Sequence, residues 1–400
     1  MIENFNQLNL QPEIIDGIQS MGIEKPTPIQ AEAIPLILDG KDVLGIAQTG
    51  TGKTAAFLLP VIQRVTAVSE RKKISVLIIV PTRELAIQID QAIQAYGYFT
   101  DISSIPIYGG GDGKIFNQER HALESGIDIV VATPGRLNTH VSLGYVDFSH
   151  IQTLILDEAD RMLDMGFLPD IQRIIKHTPK EKQSLMFSAT MPEKIYQFSK
   201  SLLNNPTKIS IALSKPSDNV DQGAFVVFSN QKIPVLVNYL SSRKEKSTII
   251  FSSRKSEVNG IQASLKRKGF DSLAMSSDLE QADREFALNE FRNQKCKILV
   301  ATDVMSRGID IKGVDVVINF DVPGDAEDYV HRIGRTGRAD AKGEAVTFIV
   351  PEDQMKFKKI EKLIGSTVNK LTVEERFGEV PAYNPQHDAS PKKRFWKKKK

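Results

Sequence analysis

The chain has 400 residues, with 52 Lys and Arg against 49 Asp and Glu, a formal charge of +3. Hydrophobic content of 41% and charged content of 25% exclude a fibrous or wholly disordered chain, and the length suggests two or three domains. Residues 392–400, KKRFWKKKK, hold seven basic groups and no acid, so residues 1–391 carry 45 basic against 49 acidic residues and any polyanion site in that body must be local.

The start, MIENFNQLNL, has no basic n-region and no apolar h-region, and no uncharged apolar run is long enough to span a bilayer. The single cysteine, Cys296, has no partner for an internal disulfide. These features lead to the expectation of a cytoplasmic protein without membrane contact.

In chain order, short β-branched apolar runs alternate with longer helix-like stretches, the pattern of a parallel sheet covered on both faces. Each run feeds a polar cluster: DVLGIA into QTGTGKT, SVLIIV into PTREL, IDIVVA into TPGR, TLIL into DEAD, SLMF into SAT, TIIF into SSR and KILVA into TDVMSRG. Ligands of doubly wound sheets bind outside the carboxyl ends of the strands, so one edge is expected to hold most of the chemistry. Between 214 and 222, SKPSDNVDQ is polar and carries Pro216, and a linker is placed there. It separates an N-terminal domain, 1–213, from a second α/β domain, 223–365, in which FVVF, TIIF, KILVA, VVINF and AVTFIV alternate with stretches such as QADREFALNEFRN. From 366 to 400 apolar periodicity is lost, and a flexible basic tail is expected. Two domains on a short linker make a cleft.

The strongest chemical signal is AQTGTGKT, residues 47–54, between a strand and the helix-like TAAFLLPVIQRV. A glycine-bearing loop turns backbone N–H groups toward phosphate oxygens, and the following helix adds partial positive charge. Lys53 would reach the β- and γ-phosphates and the Thr54 hydroxyl would ligate Mg²⁺. Ala47 stands where a strict Walker A has glycine. The partner of such a loop is an acid on a neighbouring strand: Asp157 would hold Mg²⁺, and Glu158 would position and deprotonate the attacking water.

KPTPIQ (25–30), AQTGTGKT, PTREL (81–85), Gly109 and Gly110, TPGR (133–136), DEAD (157–160), SAT (188–190), TDVMSRGID (302–310) and HRIGRTGR (331–338) stand in one order. On these motifs the chain resembles a DEAD-box RNA helicase of the bacterial type, a superfamily 2 enzyme, from Phe5 to about residue 350. The resemblance implies two RecA-like domains that sandwich ATP with Mg²⁺ and bind single-stranded or short duplex RNA without sequence preference. It implies a Q motif over about residues 3–31, with Phe5 stacking on adenine, Gln30 reading its edge and Lys25 close by. The nucleotide would also meet Ala47, Gln48, Thr49, Gly50, Thr51, Gly52, Lys53 and Thr54, with Asp310 on the ribose. Arg335 and Arg338 would act as arginine fingers on transition-state charge.

For RNA the resemblance carries over Pro81, Thr82, Arg83, Gly109, Gly110, Thr133, Gly135 and Arg136, then Thr302 and Arg307. Contacts to phosphate and sugar suit an unwinder that reads no bases, and small residues let the backbone approach closely. Ser188, Thr190, Asp160 and His331 would couple the ATP site to the rest, with Arg332 near His331 at the domain boundary. Remodelling of ribonucleoprotein in ribosome assembly or RNA decay fits this class; the rivals are an ATP-gated RNA clamp and a DNA helicase.

Departures from the family pattern are Ile23, where an aromatic is frequent, Ser276 and Ser277, where His-Gly is usual, and Gly111 in the glycine-rich GGGDG. His121, His140, His150, His177, His331 and His387 show no ligand spacing, and Cys296 is read as a small buried hydrophobe. Phe395 and Trp396 among lysines fit both an RNA-holding tail and a solvated one.

Overall fold

Strands with both faces covered are built from unbroken apolar runs, and this chain makes two such sheets. The computed structural model describes residues 2–47, 50–68, 73–110, 113–211, 219–244, 246–276, 279, 281–302, 314–324, 326–337 and 342–385. The chain divides into two units, Met1–Ser214 and Lys215–Lys400.

In the first unit, β1 (Val43–Ile46), β2 (Val76–Ile79), β3 (Ser104–Ile107), β4 (Ile129–Ala132), β5 (Thr153–Leu156), β6 (Gln183–Ser188) and β7 (Thr207–Ser210) form a sheet of order β3-β4-β2-β5-β6-β1-β7. Every pairing is parallel, so all the carboxyl ends share one edge. The period-2 alternation divides each central strand between two cores. Val76, Ile78 and Ile155 join Ile34, Phe57, Ile62 and Ile89 from the helices Pro28–Leu38, Lys53–Thr66 and Arg83–Tyr96. Leu77, Ile79, Leu154 and Leu156 join Leu137, Ile171, Ile174 and Ile195 from Pro134–Ser142, Leu168–Ile175 and Glu193–Leu202. Each such fully buried side chain contributes roughly 1.5–3 kcal/mol.

The second unit repeats the arrangement. Its strands are β8 (Val220–Val226), β9 (Thr248–Ser252), β10 (Ser272–Met275), β11 (Ile298–Thr302), β12 (Val316–Asn319), β13 (Gly343–Ile349) and β14 (Asn369–Lys370). Their order, β10-β11-β9-β12-β13-β8-β14, is the first order advanced by seven, and it too is parallel throughout. The expected class, two helix-covered parallel sheets, is what the chain forms.

The expected boundaries differ in two places. Strand β8 begins at Val220, inside the stretch 214–222 assigned to a linker. Past residue 365 the chain stays on the unit: the Leu371 amide donates to the Ala224 carbonyl at 2.8 Å, and Gln231 Nε2 donates to the carbonyls of Phe377 (2.9 Å) and Glu379 (2.8 Å). Leu371, Val373 and Phe377 pack on the core, and a Cβ on Gly223 would stand 2.8 Å from Leu371. Residues 366–385 are therefore docked by apolar contact and backbone pairing, not the start of a free tail; 386–400 lie outside the described residues. No described helix is long and apolar enough to cross a membrane.

Candidate functional site

Strand β1 delivers the glycine loop to the carboxyl edge beside β6. The Ala47 amide donates to the Ser188 carbonyl at 3.1 Å, which ties the loop to the strand carrying SAT. Gln48 and Thr49 lie outside the described residues. Gly50 (φ 86°) and Gly52 (φ 90°) take left-handed backbone that favours glycine. At Gly52 space demands it as well, since a Cβ would stand 2.4 Å from Gln30 Nε2 and 2.8 Å from Thr27 Oγ1. The helix Lys53–Thr66 starts immediately after, and its amides before Ala56 lack an intrahelical acceptor.

Gln30 is 5% exposed. Its Oε1 accepts from the Thr27 amide at 2.9 Å and its Nε2 donates to the Gly52 carbonyl at 3.1 Å, so the residue expected to read adenine also braces the glycine loop. One N–H and one lone pair remain for a base edge. Phe5 is 5% exposed and packs with Ile14, Ile18 and Ile29; its remaining surface lines a cavity of about 360 Å³ walled also by Ile15, Gly22 and Ile23. Phe5 is thus first a core anchor. Ile23, in place of an aromatic, packs on that same core, and Lys25 is exposed.

Lys53 is 7% exposed, and its Nζ has no hydrogen-bond partner among the described residues. Asp157, at the end of β5, is 3% exposed, and its Oδ1 accepts from the Glu158 amide at 2.9 Å. Burial pushes the Asp157 carboxyl up to about 6, against the pull of the Lys53 charge and with a further push from Glu158. A buried cation without an acceptor beside a carboxyl strained by burial fits a phosphate with its divalent counterion. Among the described residues no group of three or more His, Cys, Asp or Glu could hold a metal, and Mg²⁺ needs only one or two carboxylates with phosphate and water. Thr54, half-buried in the first helical turn, is the hydroxyl that would join Asp157 in holding such an ion.

Glu158 stands at φ 51° and ψ 49°, and Arg161 Nη1 holds its Oε2 at 3.1 Å. Asp160 makes the densest link. Its Oδ2 accepts from the Ala189 amide (3.1 Å), the Thr190 amide (2.9 Å) and Thr190 Oγ1 (2.9 Å), while Ser188 Oγ donates to the Thr190 carbonyl at 2.7 Å. The glycine loop, DEAD and SAT are thereby one hydrogen-bonded web across β1, β6 and β5.

The adjacent strands β3, β4 and β2 present the residues expected to meet RNA. Pro81 is buried, and Thr82 Oγ1 caps the helix Arg83–Tyr96 by accepting from the Leu85 amide at 3.3 Å. The Arg83 guanidinium lies 4.5 Å over the Tyr108 ring, beside Gly109 and Gly110 (φ 90°). The Thr133 amide donates to the Ile107 carbonyl at 2.9 Å, and Cβ atoms on Gly109 or Gly135 would meet nothing. Arg136 is turned onto the buried Glu119, with Nε donating to Oε2 at 2.7 Å.

In the second unit Thr302 closes β11 at 6% exposure, and Arg335 is 7% exposed. His331 is on the helix Ala326–Ile333. Arg332 is 3% exposed, and its Nη1 donates to Asn319 Oδ1 (3.1 Å) and the Asp321 carbonyl (2.9 Å) of the same unit. Arg307, Asp310 and Arg338, with Ser277 and Gly111, lie outside the described residues. Cys296 is 3% exposed, as a buried hydrophobe should be, and burial raises its thiol.

Sequence reasoning misses Arg161, Glu119 and the pair Lys232–Asp321. Lys232 opens the helix after β8 as Lys53 does after β1, and Asp321 follows β12 as Asp157 follows β5. Here the two are joined at 2.5 Å, and the connection Val227–Gln231 contains no glycine. Burial would raise Asp321, but the Lys232 ammonium outweighs it and holds the carboxyl low. The signal available in sequence was the repeat of strand, loop and helix-opening lysine.

The DEAD/DEAH box helicase family matches residues 27–198, and the helicase conserved C-terminal domain matches 231–340. The chain is 40% identical to a DEAD-box ATP-dependent RNA helicase CshA of Geobacillus kaustophilus over 359 residues, 90% of this chain and 76% of that protein. It is 41% identical to an ATP-dependent RNA helicase CshA of Limosilactobacillus reuteri over 90% of this chain and 71% of that one. Among solved structures, S. cerevisiae Dbp5 bound to RNA and ADP BeF3 is similar with a TM-score of 0.81 and 30% identity, covering 92% of this chain and 95% of that one. The two helix-covered sheets are RecA-like domains. The chain belongs to the DEAD-box family of ATP-dependent RNA helicases.

Proposed function

We propose that this helicase unwinds short RNA duplexes locally and non-processively, or remodels ribonucleoprotein, in the cytoplasm. The observation that carries the reading is the division of one sheet edge. Strands β5, β6 and β1 end in the expected ATP residues, β3, β4 and β2 end in the expected RNA residues, and β2 and β5 are direct neighbours. Nucleotide and RNA chemistry therefore share a scaffold a few ångströms wide per strand.

In this reading the loop Ala47–Thr54, with Gln48 and Thr49, wraps the phosphates, Lys53 neutralises them, and Gln30, Phe5 and Lys25 select adenine. Asp157 and Thr54 would hold Mg²⁺, which when bound would supply charge neutralisation at the phosphates. Glu158, fixed by Arg161, orients and deprotonates the attacking water, while Arg335 and Arg338 offset charge on the transferring phosphoryl and Asp310 meets the ribose. Asp160, Ser188, Thr190 and His331 relay the state of the phosphates. Pro81, Thr82, Arg83, Gly109, Gly110, Thr133, Gly135, Arg136, Thr302 and Arg307 follow the RNA backbone. In this reading the ribonucleoprotein it remodels would be of the kind found in ribosome assembly or RNA decay.

The test is strand displacement on a short RNA duplex with Mg²⁺-ATP, wild type against Glu158→Gln. Wild type should release strands, and the variant should lose about 10²–10⁴-fold in hydrolysis while still binding ATP and RNA. Wild type that hydrolyses ATP with RNA but releases no strand would make the protein an ATP-gated clamp; near-normal turnover of the variant would remove Glu158 from its role.

A further inference from the structure

Two of the loops proposed to hold RNA converge on one carboxylate that lies in none of the motifs. Glu119, on the helix Gly113–Ser125, is 2% exposed. Its Oε2 accepts from Arg136 Nε at 2.7 Å and stands 3.0 Å from His140 Nε2, while its Oε1 accepts from the Tyr108 amide at 3.3 Å. Tyr108 leads directly into Gly109 and Gly110, Arg136 ends TPGR, and His140 is one turn further along the helix of Arg136. The Phe116 ring stacks on His140 (4.5 Å, 12° between planes) and also lies 4.5 Å from the Arg136 guanidinium. The Tyr145 hydroxyl closes the far side on His140 Nδ1. A third loop joins through Arg83, whose guanidinium covers Tyr108.

A buried carboxylate is expensive to leave without partners, so its position is dictated by the groups that satisfy it. Here those groups come from the two loops, β3 to the glycine pair and β4 to TPGR. The Arg136 fork is held at its edge by Glu119 and across its face by Phe116, so its rotamer entropy is lost on folding rather than on binding. Nη2 also lies against Glu119, 2.6 Å from Oε2, and is itself buried, so what the fork offers a phosphate is the part of the side chain that stays open. The side chain remains 15% exposed.

We propose that Glu119 is a positioning residue for RNA: it sets the spacing between the glycine loop and TPGR and presents Arg136 to a backbone phosphate. The proposal rests on the RNA reading of those loops. A competing role for the same contact, masking of Arg136, predicts the opposite sign.

The experiment is RNA-stimulated ATP hydrolysis by the full chain, titrated with single-stranded RNA, for wild type, Glu119→Gln, Arg136→Lys and the double variant, with thermal unfolding of each. Glu119→Gln should raise the half-saturating RNA concentration roughly tenfold and leave turnover at saturating RNA in place. With Arg136→Lys added, the double variant should be little worse than either single one. An unchanged or lowered half-saturating concentration, or strictly additive losses, would overturn the proposal. Should Glu119→Gln not fold, Phe116→Leu keeps the carboxylate and removes the stacking platform; it should shift RNA half-saturation in the same direction, and no shift would overturn the proposal. Wild type that RNA does not stimulate would instead overturn the RNA reading itself, and the proposal with it.

Discussion

Asp157 and Glu344 are both partly or wholly enclosed carboxylates, yet they titrate in opposite directions. Burial drives Asp157 up to about 6. Glu344 also feels burial, but hydrogen bonds from Lys246, Arg243 and Tyr239 outweigh it and hold the group down to about 2. A folded-state value below the unfolded one means stability that is present above about pH 4.5 and lost as pH falls toward 2. Glu344→Gln should therefore destabilise the second unit by about 1–3 kcal/mol at pH 7 and by roughly half of that or less at pH 3, read from urea unfolding at both. An equal loss at both would show that packing, not charge, is what the residue contributes. Gln30 carries a second expectation at this scale. Because its Nε2 braces Gly52, Gln30→Ala should weaken all nucleotides somewhat, and ATP more than GTP if the spare N–H and lone pair read adenine. Equal losses in titrations with both would remove that reading. Lys53, Asp157 and Gln30 were legible because each sits in a short motif with its own chemistry; Glu119 was not, because its partners Tyr108, Arg136 and His140 come from other elements and leave no local signature, and Arg161 was not, because a pair with Glu158 three residues away reads as an ordinary surface ion pair.

Strands are legible in proportion to how completely they are buried. The runs that stand out, VLII, IVVA and TLIL, are central strands with every residue buried. The four strands that pattern reading omits, β3, β7, β10 and β14, are the four sheet edges. An edge strand buries fewer side chains, as in SIPI and TKIS, and tolerates Pro106 because one side needs no ladder bond. The docked segment 366–385 was missed for the same reason: β14 is two residues long and its apolar contacts, Leu371, Val373 and Phe377, have no regular period. Removing 366–400 should lower the thermal midpoint of the second unit by roughly 5–10 °C, whereas removing 386–400 should change it little. Equal midpoints for the two truncations would mean the segment is a passenger. The repeated topology also isolates one difference between the units. Where Lys53 Nζ in the first has no hydrogen-bond partner among the described residues, the second closes Lys232 onto Asp321 within the fold.

The charge of the whole chain, +3, conceals a body of net −4 with seven basic groups gathered at residues 392–400. On the proposed reading an acidic body would hold a polyanion by backbone amides, open glycines and a few placed arginines, and the β3-β4-β2 edge carries Gly109, Gly110, Gly135, Arg83 and Arg136. If the basic end adds non-specific hold, deleting 392–400 should flatten the salt dependence of RNA affinity; an unchanged slope would make it a bystander. The central claim, that ATP and RNA chemistry act through one sheet edge, is tested most directly by ATP hydrolysis measured side by side with no nucleic acid, single-stranded RNA, duplex RNA and DNA of the same sequence. RNA should stimulate turnover many-fold and DNA should not; stimulation by DNA equal to that by RNA, or none by either, would contradict the account.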